Sequence, residues 1–185
     1  MLEAASLERL VTTEADGTQR PGRMVPLRAL RVVPRESPQV PEPDRLAESV
    51  RFAPGVVLVG SGWRTTMEAE GATLEVRLYW LAEKDAPTDF TVFVHVYDGA
   101  GRLVAQHDGL PALGMFPPAA WRAGDLVVDE RTVRLPTEAG EYRLYVGLYD
   151  WRTGTRFAAW DGDGLRYEEE RALLGSVAVP ERAVP

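Results

Sequence analysis

FVHVYDGAGRLV at residues 93–104 and LYVGLYDWRTGTRF at 144–157 decide the fold. Each stretch runs an apolar strand into a Tyr-Asp step, Tyr97-Asp98 and Tyr149-Asp150, then a short turn containing glycine, then an arginine that opens the return strand, Arg102 and Arg156. Aspartate starts turns because its carboxylate accepts hydrogen bonds from backbone N–H groups two residues on, and glycine supplies a positive φ without steric cost. Two such units in one chain predict an antiparallel β-sandwich. They direct attention to surfaces and loops rather than to a catalytic cleft.

Outward from the hairpins, strand patterns recur at the short spacing of a sandwich. Residues 73–82, TLEVRLYWLA, alternate: Leu74, Val76, Leu78 and Trp80 face one way and Glu75, Arg77 and Tyr79 the other. Such period-2 alternation sets one face on a core and the other toward water. Val56 to Val59 form an apolar run that Gly60-Ser61-Gly62 is expected to end. Residues 90–97 are apolar on both faces, as in a central strand, with 126–135 and 141–149 as further strands and 173–179 closing the set. No long segment repeats at 3.6 residues. The expected fold is all-β, an antiparallel sandwich of seven to nine strands with Ig-like or jelly-roll topology.

The sandwich is expected over residues 46–185. Residues 1–45 read as an N-terminal arm, with one strand over 25–33 (VPLRALRVV) and then PRESPQVPEPD at 34–44, where four prolines in eleven residues favour an extended linker. Between the hairpins, 108–125 is a long connection, of the kind that binds ligands or crosses between sheets. Phe116 and Trp121 are its expected anchors, with Trp121 also a candidate ligand contact.

Composition narrows the function classes. The 45% hydrophobic and 26% charged content fits a globular protein, and a formal net charge of −7 disfavours a nucleic-acid partner, which demands clustered cations. The chain has no cysteine, which rules out disulfides and thiolate metal sites. The N-terminal stretch lacks the cationic start and apolar run of a signal peptide, and no stretch approaches the eighteen apolar residues of a spanning helix. A role outside the cytoplasm would need delivery by something beyond this sequence.

Taken in order, the landmarks Leu74–Trp80, DFTVFVHVYDGAGRLVAQHDGLP (89–111), Trp121-Arg122-Ala123-Gly124-Asp125, GEYRLYVGLYDWRTGTRF (140–157) and Leu174-Gly175-Ser176-Val177 form a recognisable series. It resembles the C-terminal β-sandwich domain of Chloroflexi-type multi-pass membrane glycosyltransferases that are similar to dolichyl-phosphate-mannose mannosyltransferases. The resemblance covers roughly residues 50–179. In that family the catalytic residues sit in the membrane portion, so no catalytic position carries over. The resemblance implies an extracytoplasmic accessory domain that contacts glycans or takes part in assembly, joined to the membrane only through a parent chain.

The side chains themselves carry little catalytic pattern. Asp161-Gly162-Asp163-Gly164 looks like the start of a calcium loop, yet Leu165 and Ala172 stand where such a loop needs oxygen ligands, so a turn at a strand end is the expected role. His95 and His107 are the only histidines, too few for a histidine metal triad. GSGWR at 60–64 lacks the order of a nucleophile elbow. No cofactor or metal is expected.

The aromatics are the better lead. By strand parity Tyr79, Tyr145 and Tyr149 point away from the core, and Phe93, His95 and Tyr97 join them if Val92, Val94 and Val96 point inward. On neighbouring strands these residues would form an exposed aromatic face able to stack on sugar rings, with Arg77 and Arg143 bonding hydroxyls; exposed apolar patches mark interaction sites. The candidate ligand-binding set is Tyr79, Phe93, His95, Tyr97, Trp121, Tyr145 and Tyr149. The competing reading buries this face under residues 1–45 or under a partner. The leading expectation is a non-catalytic glycan- or envelope-binding domain. The alternatives are an assembly module binding proteins, or its own copies, through sheet edges or the N-terminal arm, and last a hydrolase.

Overall fold

The computed structural model describes residues 39–68 and 71–181, and before them the strand pair β1 (Thr12–Thr13) and β2 (Gln19–Arg20), which run antiparallel. The chain divides into two compact units, 1–36 and 37–185. The strand expected over 25–33 and the first part of the Pro-rich segment lie outside the described residues. The second unit takes in the end of that segment: Asp44 receives a hydrogen bond from Tyr79, and Val40 lies against Gly60.

The second unit is all-β, with β3 (Arg45–Phe52), β4 (Val56–Glu68), β5 (Gly71–Ala82), β6 (Thr91–Tyr97), β7 (Leu103–Gly109), β8 (Leu126–Arg134), β9 (Gly140–Tyr149), β10 (Ala159–Trp160) and β11 (Ala172–Val179). They form a five-stranded sheet in the order β10-β3-β4-β5-β8 and a four-stranded sheet in the order β11-β9-β6-β7, with antiparallel pairing throughout. The triplet β4-β5-β8 with the quartet β11-β9-β6-β7 is the A-B-E and G-F-C-C′ order of an immunoglobulin-like sandwich, which decides between the two expected topologies. Tyr142, at the start of β9, donates its hydroxyl to the Glu138 carbonyl at 2.9 Å, the tyrosine corner that pins this connection in such sandwiches.

The expected inward sets meet between the sheets. Leu74, Leu78 and Trp80 of β5 and Leu144, Val146 and Leu148 of β9 are fully buried, and Phe52 packs edge-on against Trp80 at 5.7 Å. Two expectations change. Gly60-Ser61-Gly62 does not end its strand: β4 continues to Glu68 through a bulge between Leu58 and Gly60. These glycines serve close approach instead, since a Cβ on Gly62 would sit 2.3 Å from an Asp44 carboxylate oxygen. Nor does the second hairpin return as a full strand. After Tyr149 the bridge to Arg156, with the bonds from Asp150 to Thr155 and from Phe157 to Leu148, ends the ladder before the chain crosses to β10 beside β3.

Three aspartates build one kind of turn. Asp98 accepts at its carboxylate from the N–H groups of Ala100 and Arg102, and its carbonyl accepts from Gly101. Asp161 does the same with Asp163, Leu165 and Gly164. Asp150 holds Arg152 and Gly154 in a turn one residue longer. Gly101, Gly154 and Gly164 all carry positive φ, which explains the glycine at each closing position. The Asp161 carboxylate is therefore occupied as a turn cap.

One polar group bridges the sheets. On β8, where buried and exposed positions alternate, Asp129 and Arg131 point inward and are 0% and 4% exposed. Arg131 donates to Asp129 at 2.9 Å and reaches across to the carbonyls of Val92 at 3.2 Å and Gly109 at 3.0 Å. Asp129 also accepts from the Trp80 indole and from the Ala112 N–H. With every polar end engaged, the pair closes the β7/β8 side of the sandwich and ties down the connection that follows β7.

The chain joins this sandwich at Arg45, which pairs with Gly60 part-way along β4, and leaves it at Val179, which pairs with Gly140 at the end closed by the short link between β8 and β9. The connections 83–90, 110–125 and 150–158 gather at the opposite end.

Candidate functional site

Five of the expected ligand residues lie together on the outer face of the four-stranded sheet: Phe93, His95 and Tyr97 from β6, Tyr145 and Tyr149 from β9. Their rings form a chain, with Phe93–His95 at 4.4 Å, His95–Tyr97 at 6.2 Å, Tyr97–Tyr145 at 5.4 Å and Phe93–Tyr149 at 6.4 Å. They are not an open platform. Phe93 is 1% exposed and His95 6%, because the chain after β10 folds back over them. The Arg156 guanidinium sits 4.7 Å above the Phe93 ring, and Arg171 sits 4.3 Å from Tyr97 and 4.5 Å from Tyr145. Glu169 joins both arginines, accepting from Arg156 at its carbonyl and pairing with Arg171 at 3.1 Å through its carboxylate. Among the described residues the cover is Arg156 and residues 169–171, from the connections on either side of β10.

Gly147 makes that cover possible. A Cβ there would lie 2.2 Å from the Phe93 ring and 2.7 Å from the Glu170 carbonyl, so only glycine lets the covering segment descend this far. Beneath it, His95 Nε2 lies 3.2 Å from an Asp108 carboxylate oxygen, and the Tyr149 hydroxyl interacts with Asp108 and Thr91. Burial, and next the Asp108 charge, push the Tyr149 phenol above its ordinary range.

The other two expected residues are elsewhere. Tyr79 is on the five-stranded sheet, 3% exposed beneath the segment ending at Asp44, to which it donates at 2.9 Å. Burial is the first reason that its phenol also titrates high. Trp121 is fully buried, edge-on to Phe90 at 5.4 Å, and its indole N–H donates to the Phe116 carbonyl at 2.9 Å. It anchors the 110–125 connection, as one of its two expected roles required.

A cleft of about 640 Å³ in the described part of the molecule includes Trp63, Arg64, Glu75, Arg77, His107 and Leu113. That volume falls in the range of small-ligand pockets. Arg77 donates to Glu130 at 3.0 Å and lies 3.8 Å from Asp44, while Arg64 pairs with Glu75. Glu130 and Asp44 also line the cleft. Guanidinium forks and carboxylates thus alternate beside an indole and two aliphatic side chains. The arrangement presents fixed donors, fixed acceptors and an apolar wall, which is what a polyhydroxylated ring needs. Trp63 and Arg64 escaped the sequence reading because GSGWR was weighed only as a nucleophile motif; an aromatic beside an arginine in a strand was the available signal. Trp151, 59% exposed on the Asp150 turn with Arg152 4.9 Å from its ring, is a second aromatic that the hairpin reading quoted without weighing. Among the described residues no group of three or more His, Asp or Glu side chains is placed to hold a metal ion.

No protein-family model matches the chain, and no curated protein matches it. Among solved structures it is similar to a crystal structure of an ApaA protein from Bordetella pertussis, at 11% identity and a TM-score of 0.35, over 72% of this chain and 98% of that one. A likeness this distant carries neither fold nor function across.

Proposed function

We propose that this chain is a non-catalytic accessory domain that contacts glycans of the cell envelope on the outer side of the membrane. The observation that carries the reading is the cleft in which Trp63 stands beside the Arg64–Glu75 and Arg77–Glu130 pairs. Stacking on an indole supplies affinity for a sugar's C–H face, and paired arginines and carboxylates supply direction to its hydroxyls. The resemblance to glycosyltransferase-associated domains supports the outer-side placement. The aromatic face of the four-stranded sheet, under its arginine cover, is a structural element in this reading.

A glycan-array screen of the folded chain, followed by calorimetric titration of any hit, tests the proposal. Trp63→Ala is expected to weaken binding about two- to thirteenfold, from a stacking contribution of about 0.5–1.5 kcal/mol, and Arg77→Gln to weaken it further. Tyr145→Ala should leave affinity unchanged. An array without hits, or a hit indifferent to Trp63 and Arg77, overturns the reading.

A further inference from the structure

We infer that the cleft takes an uncharged sugar and turns acidic sugars away, an inference that rests on the glycan reading of that cleft. Its guanidinium groups are already spent on carboxylates. Arg64 pairs with Glu75, and Arg77 donates to Glu130 at 3.0 Å with Asp44 3.8 Å away on another nitrogen. Arg131 pairs with Asp129 at 2.9 Å and gives its terminal nitrogens to the carbonyls of Val92, Gly109 and Leu110. Among the described residues, each arginine that lines the cleft therefore already faces an acid.

An acidic sugar is gripped by a guanidinium fork, and to use Arg64 or Arg77 it must displace a carboxylate. Asp44 is fixed in place: Tyr79 donates to it at 2.9 Å, and its carboxylate lies hard against Gly62. A displaced Glu75 or Glu130 would stand beside the incoming acid, where like charges repel. A sugar hydroxyl meets no such conflict. It both accepts and donates, so one hydroxyl receives from a guanidinium N–H and gives to the neighbouring carboxylate. An ionised carboxylate, sulfate or phosphate only accepts, and leaves Asp44, Glu75 and Glu130 facing it with nothing to receive. The pairs lie within reach of a ligand, with the Arg77 and Glu130 side chains 49% and 67% exposed. Trp63 and Thr132 add an apolar wall and a neutral hydroxyl.

The test sorts the glycan-array hits into neutral, acidic and amino sugars, then titrates the leading hit into the full chain together with its uronic-acid and 2-amino counterparts. The unaltered chain is expected to bind the neutral compound at least about tenfold tighter than the uronate. Its affinity should stay level as sodium chloride rises, because the ligand brings no charge to be screened. The double variant Glu75→Gln with Glu130→Gln frees two guanidinium groups on exposed pairs, and should raise uronate affinity at least about tenfold without lowering the melting temperature. Each single variant should show part of that gain. Uronate or amino sugar bound as tightly as the neutral compound overturns the inference, as does an affinity that falls with salt, or a folded double variant that gains nothing for the uronate. If a charged hit still depends on Trp63 and Arg77, the glycan reading stands and only its charge class fails; an array without hits removes both.

Discussion

Arg131 and Asp129 show how much a few buried polar atoms decide. Removing one partner of a satisfied buried pair strands the other, and Asp129→Ala is expected to cost about 3–5 kcal/mol in urea denaturation. The double change Asp129→Leu with Arg131→Met should cost less than the sum of the two single changes, because no orphaned charge remains. Gly147 acts through its missing side chain. Gly147→Ala forces Phe93 or the Glu170 backbone to move, at an expected loss of about 1–3 kcal/mol read by the same denaturation. Neither role was legible from one strand's pattern. Arg131 reads as an ordinary alternate residue of β8 until the opposite sheet supplies its carbonyl partners, and Gly147 reads as a weak point in a strand until the returning chain is in place.

At the scale of elements, the Asp98 turn and the covering segment answer to pH. The Asp98 carboxyl is held below its ordinary range, first by the Arg102 N–H and also by the Arg102 side chain. The Glu170 carboxyl is lowered chiefly by Arg166, with a further bond from the Ala159 N–H. In the unfolded chain such groups titrate at about 3.9–4.3. Their contribution is therefore present above that range and is lost as the pH falls through the lower folded values. Thermal unfolding from pH 6 to pH 2 should show this decline, and Asp98→Asn and Glu170→Gln should each flatten it.

The same elements show what a sequence discloses. Strand alternation in β5, β8 and β9 and the Asp-to-Gly turns are local signals, and they led directly to the sandwich. The parity argument placed Phe93, His95, Tyr97, Tyr145 and Tyr149 on one face, because neighbouring strands keep register. It could not reveal the cover, since Arg156 and Arg171 arrive from a connection without periodicity. It grouped Tyr79 with the others because parity states which way a side chain points within its own sheet, and says nothing of which sheet that is. β3 was missed because RLAESVRF is mostly exposed along its first half and lacks the clean alternation of its neighbours.

For the whole molecule, most contacts join strands distant in sequence: β5 with β8, β6 with β9, β3 with β10. Sandwiches of this topology fold slowly, in milliseconds to seconds, because loop-closure entropy is spent before non-local pairing compensates. Stopped-flow fluorescence, with buried Trp80 and Trp121 as reporters, should show refolding in that window; a microsecond phase carrying most of the amplitude would contradict it.

The different levels at which the chain joins and leaves the sandwich bear on how it responds to force. Arg45 joins part-way along β4 and Val179 leaves at the end of the β8–β9 link, on strands belonging to different sheets. Tension drawn through both meets a β11 paired with β9 along its length, and a β3 whose register with β4 is broken between Arg45 and Val50, so β3 is the strand expected to give way first.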